Sequence, residues 1–271
     1  MILIDCMFVN NGGAKVLLDY LVDSLSSNYK NIYFLLDDRC KDDYENIKNK
    51  IFIKNSLLDR FIFFYKNKNK FDKVFSFGNV PIFFGSYFNK KIVYFHQKLF
   101  LLNNVGISFY LKSKIILFLR KNVDFWVVQN QDMKNSLIKS YGLKEESVKI
   151  IPFYPSFNKQ NLNKREENTF IYASSGAEHK NHLRLIDAFC MAYDRSKKGK
   201  LYLTVDDSFI KLCNIIEDKV KSGYPIVNLG FQDRENLFNY YSETEFCIYP
   251  SLAESFGLGL AEAVDAGCKV L

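Results

Sequence analysis

The sequence predicts an α/β protein built from two doubly wound parallel-sheet units in series, and three observations predict it. Short apolar runs alternate with longer segments of helical spacing, the pattern of strands joined by crossover helices. The alternation breaks once, over residues 152–168, where Pro152, Pro155, several Asn and a charged cluster interrupt it. It then restarts in the same form. An N-terminal domain at 1–155, a linker at 156–168 and a C-terminal domain at 169–271 follow from that break.

In the first half, the apolar runs at 2–6, 32–36, 51–53, 73–77, 91–95, 124–128 and 148–151 read as strands. Between them, 14–25, 57–65, 107–119 and 133–141 carry the i, i+3, i+4 spacing of helices. In the second half, 170–173, 200–205, 226–229 and 245–249 read as strands, and 183–193, 209–220 and 234–241 as helices. A fifth strand would begin at 270–271, so the second unit is expected to be incomplete. Ligands of such sheets sit at the carboxyl ends of the strands, which makes the cleft between two facing units the expected site.

Composition narrows the class. With 48% apolar residues, 26 Phe and 17 Tyr in 271 positions, the chain has material for sizeable cores and is not a disordered polymer. Its six cysteines lack any C-x-x-C or metal-ligand spacing, which points to reduced thiols in a cytoplasmic protein. No apolar run approaches the ~20 residues of a membrane span, so the expectation is a soluble protein, at most peripheral on the inner face of a membrane. The net charge of +7 is uneven: +10 over residues 1–163 and −3 over 164–271. A basic half suits an anionic partner, and an anionic membrane surface, nucleic acid and a plain Lys-rich solvated surface all fit it. No nucleic-acid recognition motif accompanies the charge, so nucleic acid is not the expected partner.

The most specific motif is Ser-Leu-Ala-Glu-Ser-Phe-Gly-Leu-Gly-Leu-Ala-Glu at 251–262, directly after a strand ended by Pro250. Gly257 and Gly259 permit close backbone approach where a helix starts, and a helix N-terminus attracts an anion. Phe256, Gly257 and Leu258 can therefore offer backbone N–H groups to a diphosphate. Of the two carboxylates, Glu254 and Glu262, one can accept hydrogen bonds from sugar hydroxyls and the other from a ribose.

A second motif, at 170–182, runs strand, loop, helix start, with Ser175 and Lys180 in the loop. A lysine there can hold a leaving phosphate as a point charge. No metal-ligand set is completed around His179 and His182, which read as loop and helix-cap residues, and no metal is expected. In the first half, Gly12 and Gly13 open a helix after the first strand, and His96 closes the strand at 91–95. Gly78 and Asn79 lie at another strand end and are expected to line an acceptor pocket. The segment 107–121 combines large apolar side chains with Lys112, Lys114, Arg120 and Lys121. It fits a basic helix lying on an anionic membrane and equally a helix packed on its sheet.

On these motifs the chain resembles the large retaining glycosyltransferase family four, whose GT-B fold has two facing Rossmann-like lobes. The hallmark of that family is two glutamates with seven residues between them, the spacing of Glu254 and Glu262. The resemblance implies that Glu254 contacts the donor sugar and Glu262 the nucleotide ribose. It implies that Lys180 holds the donor diphosphate, that Gly12 and Gly13 form the glycine loop of the N-terminal lobe, and that His96 lies near donor sugar and acceptor. Where the family often has an arginine, this chain has Ser175, which leaves phosphate neutralisation more dependent on Lys180. The implied reaction moves a sugar from a nucleoside-diphosphate sugar to a hydroxyl acceptor, a lipid-linked or growing surface polysaccharide, with retention and without a cofactor. Family members usually continue further, so a C-terminally truncated chain is expected. A sugar-nucleotide epimerase and a non-catalytic nucleotide-binding fragment remain alternatives on the same residues.

Overall fold

The computed structural model describes residues 1–102, 106–157 and 164–271. The chain divides into two compact units, Met1–Pro155 and Ser156–Leu271.

The first unit runs β1 (Ile2–Asp5), α1 (Gly12–Ser26), β2 (Ile32–Asp37), β3 (Lys50–Ile53), α2 (Leu57–Lys66), β4 (Lys73–Ser76), β5 (Lys90–Tyr94), α3 (Ile107–Leu119), β6 (Phe125–Val128), α4 (Gln131–Tyr141) and β7 (Val148–Ile150). Its seven strands lie in the order β3-β2-β1-β4-β5-β6-β7, all parallel. The register puts Leu3, Leu35, Val74, Val93 and Trp126 on one face of the sheet. Phe63 and Phe64 of α2 pack on that face at one end, and Ile116 of α3 with Met133 and Leu137 of α4 at the other. Helix boundaries follow local chemistry. Ser56 caps α2 by accepting from the N–H groups of Leu58 and Asp59, Asn130 caps α4 through Met133, and Gly142 ends α4 in the left-handed conformation.

The second unit runs β8 (Glu166–Tyr172), α5 (His182–Ser196), β9 (Lys200–Leu203), α6 (Ile210–Lys221), β10 (Ile226–Asn228), α7 (Arg234–Glu243), β11 (Thr244–Cys247), α8 (Leu258–Asp265) and β12 (Lys269–Val270). The order is β10-β9-β8-β11-β12, again parallel throughout. Strands covered on both faces bury alternate side chains in opposite directions. Tyr172, Leu201 and Leu203 meet α5 and α6, while Ile171 and Cys247 meet Tyr241 of α7, Ala263 of α8 and Ala266 just after it.

The fold class expected from the sequence is the one observed, with one correction at the linker. Of 156–168, residues 158–163 lie outside the described residues, and the two flanks are structured parts of the second unit. Phe157 donates its N–H to Asp265 and packs its ring on Phe238, with centroids 4.7 Å apart. The Arg165 guanidinium donates to the carbonyls of Tyr241, Thr244 and Ala266, and β8 already begins at Glu166. Polar residues at 164–168 suggested a loop, but backbone pairing with β11 and the Arg165 clamp hold them in place.

All six cysteines are free thiols. Among the described residues no helix is long and apolar enough to cross a membrane.

Candidate functional site

The second unit assembles the glutamate–lysine cluster at the carboxyl ends of β8 and β11. After β8, a single turn of 3₁₀ helix at Glu178–Lys180 presents Lys180, and Asn181 takes a left-handed φ of 63° before α5 begins. After β11, Pro250 leads into the loop carrying Glu254. The two loops are stitched together: Asn181 Nδ2 donates to the Pro250 carbonyl at 3.1 Å, and the Leu252 N–H to the His179 carbonyl at 2.8 Å. Across this seam Lys180 Nζ lies 2.6 Å from Glu254 Oε1, which also accepts from Ser251 Oγ at 2.5 Å. Tyr172, at the end of β8, donates its hydroxyl to the Lys180 carbonyl at 3.0 Å and lies 3.1 Å from Ser251 Oγ. A cation and a carboxylate are thus fixed side by side, both part-buried.

Glu254 leads within three residues to the start of α8. Gly257 occupies the N-cap with φ 80°, a conformation that favours glycine. Having no side chain, it gives α8 no side-chain cap. Gly259 sits in a tight place, since a Cβ there would lie 3.2 Å from the Tyr241 hydroxyl and 3.3 Å from the Ala173 carbonyl, each of which would have to give by a few tenths of an ångström. Phe256, Gly257 and Leu258 therefore stand at the start of α8, as the motif suggested, and Ser175 is exposed in the loop after β8.

Glu262 is buried in α8 and is not part of the Lys180 cluster. Its Oε1 accepts from Arg234 Nε at 2.8 Å, and the Arg234 guanidinium lies 4.1 Å from the centroid of the Phe157 ring. Burial raises the Glu262 carboxyl above its usual range, and Arg234 pulls it back. The sequence reading missed Arg234. It stands at the first position of α7, 28 residues before Glu262, and no spacing rule links the two. Ser251, three residues before Glu254, was readable as a local hydroxyl partner but was not singled out.

His182 is the first residue of α5, not its cap, and is buried with neither ring nitrogen partnered among the described residues. Its ring packs on Tyr172 at 4.8 Å, and burial lowers its pKa to about 4. His179 is also lowered, by burial and then by Lys180. Among the described residues no group of three or more His, Cys, Asp or Glu could hold a metal ion.

The first unit brings together a separate polar set. His96 lies two residues beyond β5, and its backbone N–H donates to Asn79 Oδ1 at 2.7 Å. Its Nε2 sits 2.8 Å from the Phe77 carbonyl, a contact that requires the proton on Nε2 and leaves Nδ1 as the acceptor. Burial depresses the His96 pKa to about 4, so the ring is neutral near pH 7. Phe77 and Tyr94 flank it at 5.2 and 5.5 Å. Asn79 is held at a left-handed φ of 69° and is buried. Gly78 has a structural reason of its own, because a Cβ there would fall 2.0 Å from the Met7 carbonyl oxygen. Gly12, with φ 62°, starts α1 together with Gly13, and Asn11 gives that helix no side-chain cap.

The sequence reading also missed Arg60. It is buried in α2 and donates to Asp5 Oδ2 at 2.6 and 2.9 Å and to the carbonyls of Val80 and Pro81. This pair ties the end of β1 to α2 and to the segment following Asn79.

No protein-family model matches the chain. Among curated proteins it is similar to mannosylfructose-phosphate synthase of Agrobacterium fabrum, 24% identical over 177 residues, covering 56% of this chain and 38% of the relative. It is also similar to the O-antigen chain mannosyltransferase RfbU of Salmonella typhimurium, 27% identical over 150 residues, covering 51% of this chain and 39% of the relative. The matches thus span under two fifths of the length of either protein. Among solved structures, Anabaena HepE in complex with UDP and glucose superposes with a TM-score of 0.76 at 16% identity, covering 99% of this chain and 79% of HepE. The chain shares the fold of HepE, the GT-B class of two Rossmann-like parallel-sheet units in succession.

Proposed function

We propose that this chain is a glycosyltransferase that moves a sugar from a nucleoside-diphosphate sugar to a hydroxyl acceptor. The observation that carries this reading is the Lys180–Glu254 pair fixed beside the uncapped start of α8, with Glu262 buried further along the same helix. Lys180 and the N-terminus of α8 take the donor diphosphate, Glu254 accepts from sugar hydroxyls, and Glu262 accepts from the ribose. Gly12, Gly13 and His96 of the first unit serve the donor phosphates and the acceptor. The similarity to an O-antigen chain mannosyltransferase, and a like fold seen with UDP and glucose, support a sugar-nucleotide donor.

We assign retention to the transfer. The bond between the anomeric carbon and the β-phosphate oxygen breaks as the acceptor oxygen bonds to the same face of that carbon. The acceptor proton passes to the departing phosphate oxygen. Positive charge from Lys180 and the helix dipole stabilises the diphosphate as it leaves, in a reaction proposed to need no metal or other cofactor. The acceptor we favour is a lipid-linked or growing surface polysaccharide at the cytoplasmic membrane face, a choice supported by the basic first unit.

Thermal unfolding against UDP-, GDP- and ADP-sugars tests the donor site, with Lys180→Ala and Glu262→Gln as controls. A ligand at 100 times its Kd stabilises by about 2.7 kcal/mol. A shift with one nucleotide that both variants lose supports the reading, whereas a folded chain indifferent to all three refutes it. Nucleotide release that depends on an added acceptor separates transfer from epimerisation.

A further inference from the structure

Helices α7 and α8 each bring two side chains to the same place. Arg234 and Phe238 stand four residues apart on α7, and Glu262 and Asp265 three apart on α8, spacings that share one helix face. One residue reaches both helices there. Phe157, the second residue of the second unit, donates its backbone N–H to Asp265 Oδ2 at 3.3 Å and packs its ring on Phe238. The same ring lies under the Arg234 guanidinium, 4.1 Å from its centroid, and Arg234 in turn donates Nε–H to Glu262 Oε1 at 2.8 Å.

The position of Arg234 calls for such support. A cation at the first position of a helix opposes the helix dipole. Its side chain is one-third exposed, at 34%, so water competes for the guanidinium, whereas the side chain of Glu262 is buried. The Phe157 ring covers the guanidinium from one side, and the attraction of a cation to a ring face grows as water is removed. The other titratable groups acting on Glu262 do not replace this cation. Asp265 raises the Glu262 carboxyl further, and burial holds the Tyr241 phenol of α7 protonated.

We propose that Phe157 is a positioning residue of the nucleotide site, its ring seating Arg234 against Glu262 so that the segment entering the second unit sets how the ribose carboxylate is presented. This rests on the reading of Glu262 as the ribose acceptor, and its first test needs no nucleotide. Carbon-13 NMR follows the titration of the Glu262 carboxyl in a double-mutant cycle on the whole chain. Phe157→Leu keeps an apolar contact for Phe238 but offers the guanidinium no ring face. Glu262 should titrate higher in that variant, as in the parent chain in Phe157→Tyr, and no higher still when Phe157→Leu is added to Arg234→Ala. Phe157 is half-buried, so the variant should fold, and Phe157→Met supplies the same comparison if it does not. Calorimetry with UDP, GDP and ADP gives the second test. Whichever binds the parent chain should bind Phe157→Leu about fivefold more weakly, with the larger loss at pH 6 than at pH 8, and Phe157→Tyr should restore it. An unchanged Glu262 titration in Phe157→Leu overturns the proposal. So does an equal shift with and without Arg234, which would make Phe157 a packing residue of α8, or an equal loss of affinity in the Leu and Tyr variants. If none of the three nucleotides binds the parent chain, the proposed donor site fails, and with it the ribose role of Glu262, whatever the titration shows.

Discussion

Replacing Arg60 by Ala would leave the Asp5 carboxylate buried without its cation and two carbonyls without their donor. Breaking a buried pair from one side costs about 3–5 kcal/mol, and urea unfolding should show a loss of that size. Exchanging both partners at once, Asp5→Asn with Arg60→Met, should cost less than the single change. The Arg234–Glu262 pair has a functional counterpart to this test. Arg234 is the cation that offsets burial at Glu262, so Arg234→Ala should raise the carboxyl further. Nucleotide affinity should then fall about tenfold, the worth of one charge-assisted hydrogen bond, and fall more at pH 6 than at pH 8. Equal losses at the two pH values, measured by calorimetry, would mean that Arg234 serves Glu262 only by packing.

At the scale of elements, the two glycine-dependent turns behave differently. A Cβ at Gly78 would collide with backbone, the Met7 carbonyl oxygen, which has no side-chain freedom to yield. Gly78→Ala should therefore disturb the packing of the Cys6–Val9 turn against β4 and lower the melting temperature. Gly257→Ala has room, with nearest neighbours at 3.6 Å, but pays for its φ of 80°. A loss of about 1–2 kcal/mol is expected there, together with weaker nucleotide binding. The strand and helix pattern was legible because each strand is an apolar run and each long helix repeats its apolar face. The start of β8 was not, since Glu166, Glu167 and Asn168 are polar and exposed and are held by β11 and Arg165. The turn that presents Lys180 was also invisible, because one turn of helix has no period. Glu254 and Glu262 share one loop and helix, so their spacing could be read directly. Lys180 lies 74 residues from Glu254; the resemblance gave both to the donor, and their ion pair was not foreseen. Arg60 was not singled out, because an isolated arginine gives no sign in the sequence that it is buried.

At the scale of the whole molecule, each unit carries one histidine that the fold holds neutral, His96 in the first and His182 in the second, both lowered to about 4. In the unfolded chain each takes up its proton near pH 6.5, so the unfolded state binds more protons between pH 6.5 and 4. Stability should be complete above pH 6.5 and decline as pH falls toward 4, by up to about 3 kcal/mol per histidine. Denaturant unfolding across that range checks the slope, and His182→Phe should flatten it in the second unit. The parallel sheets also set a timetable for synthesis. In the first unit β1 meets β2 early, but its other edge pairs with β4, Ile2 against Lys73. In the second, β8 waits for β11, Glu166 against Thr244. At 5–20 residues per second, a ribosome needs roughly 4–15 s to deliver either partner. For that interval one edge of β1, and later of β8, is an open row of peptide groups on the nascent chain. Those seconds are when this protein most needs a chaperone.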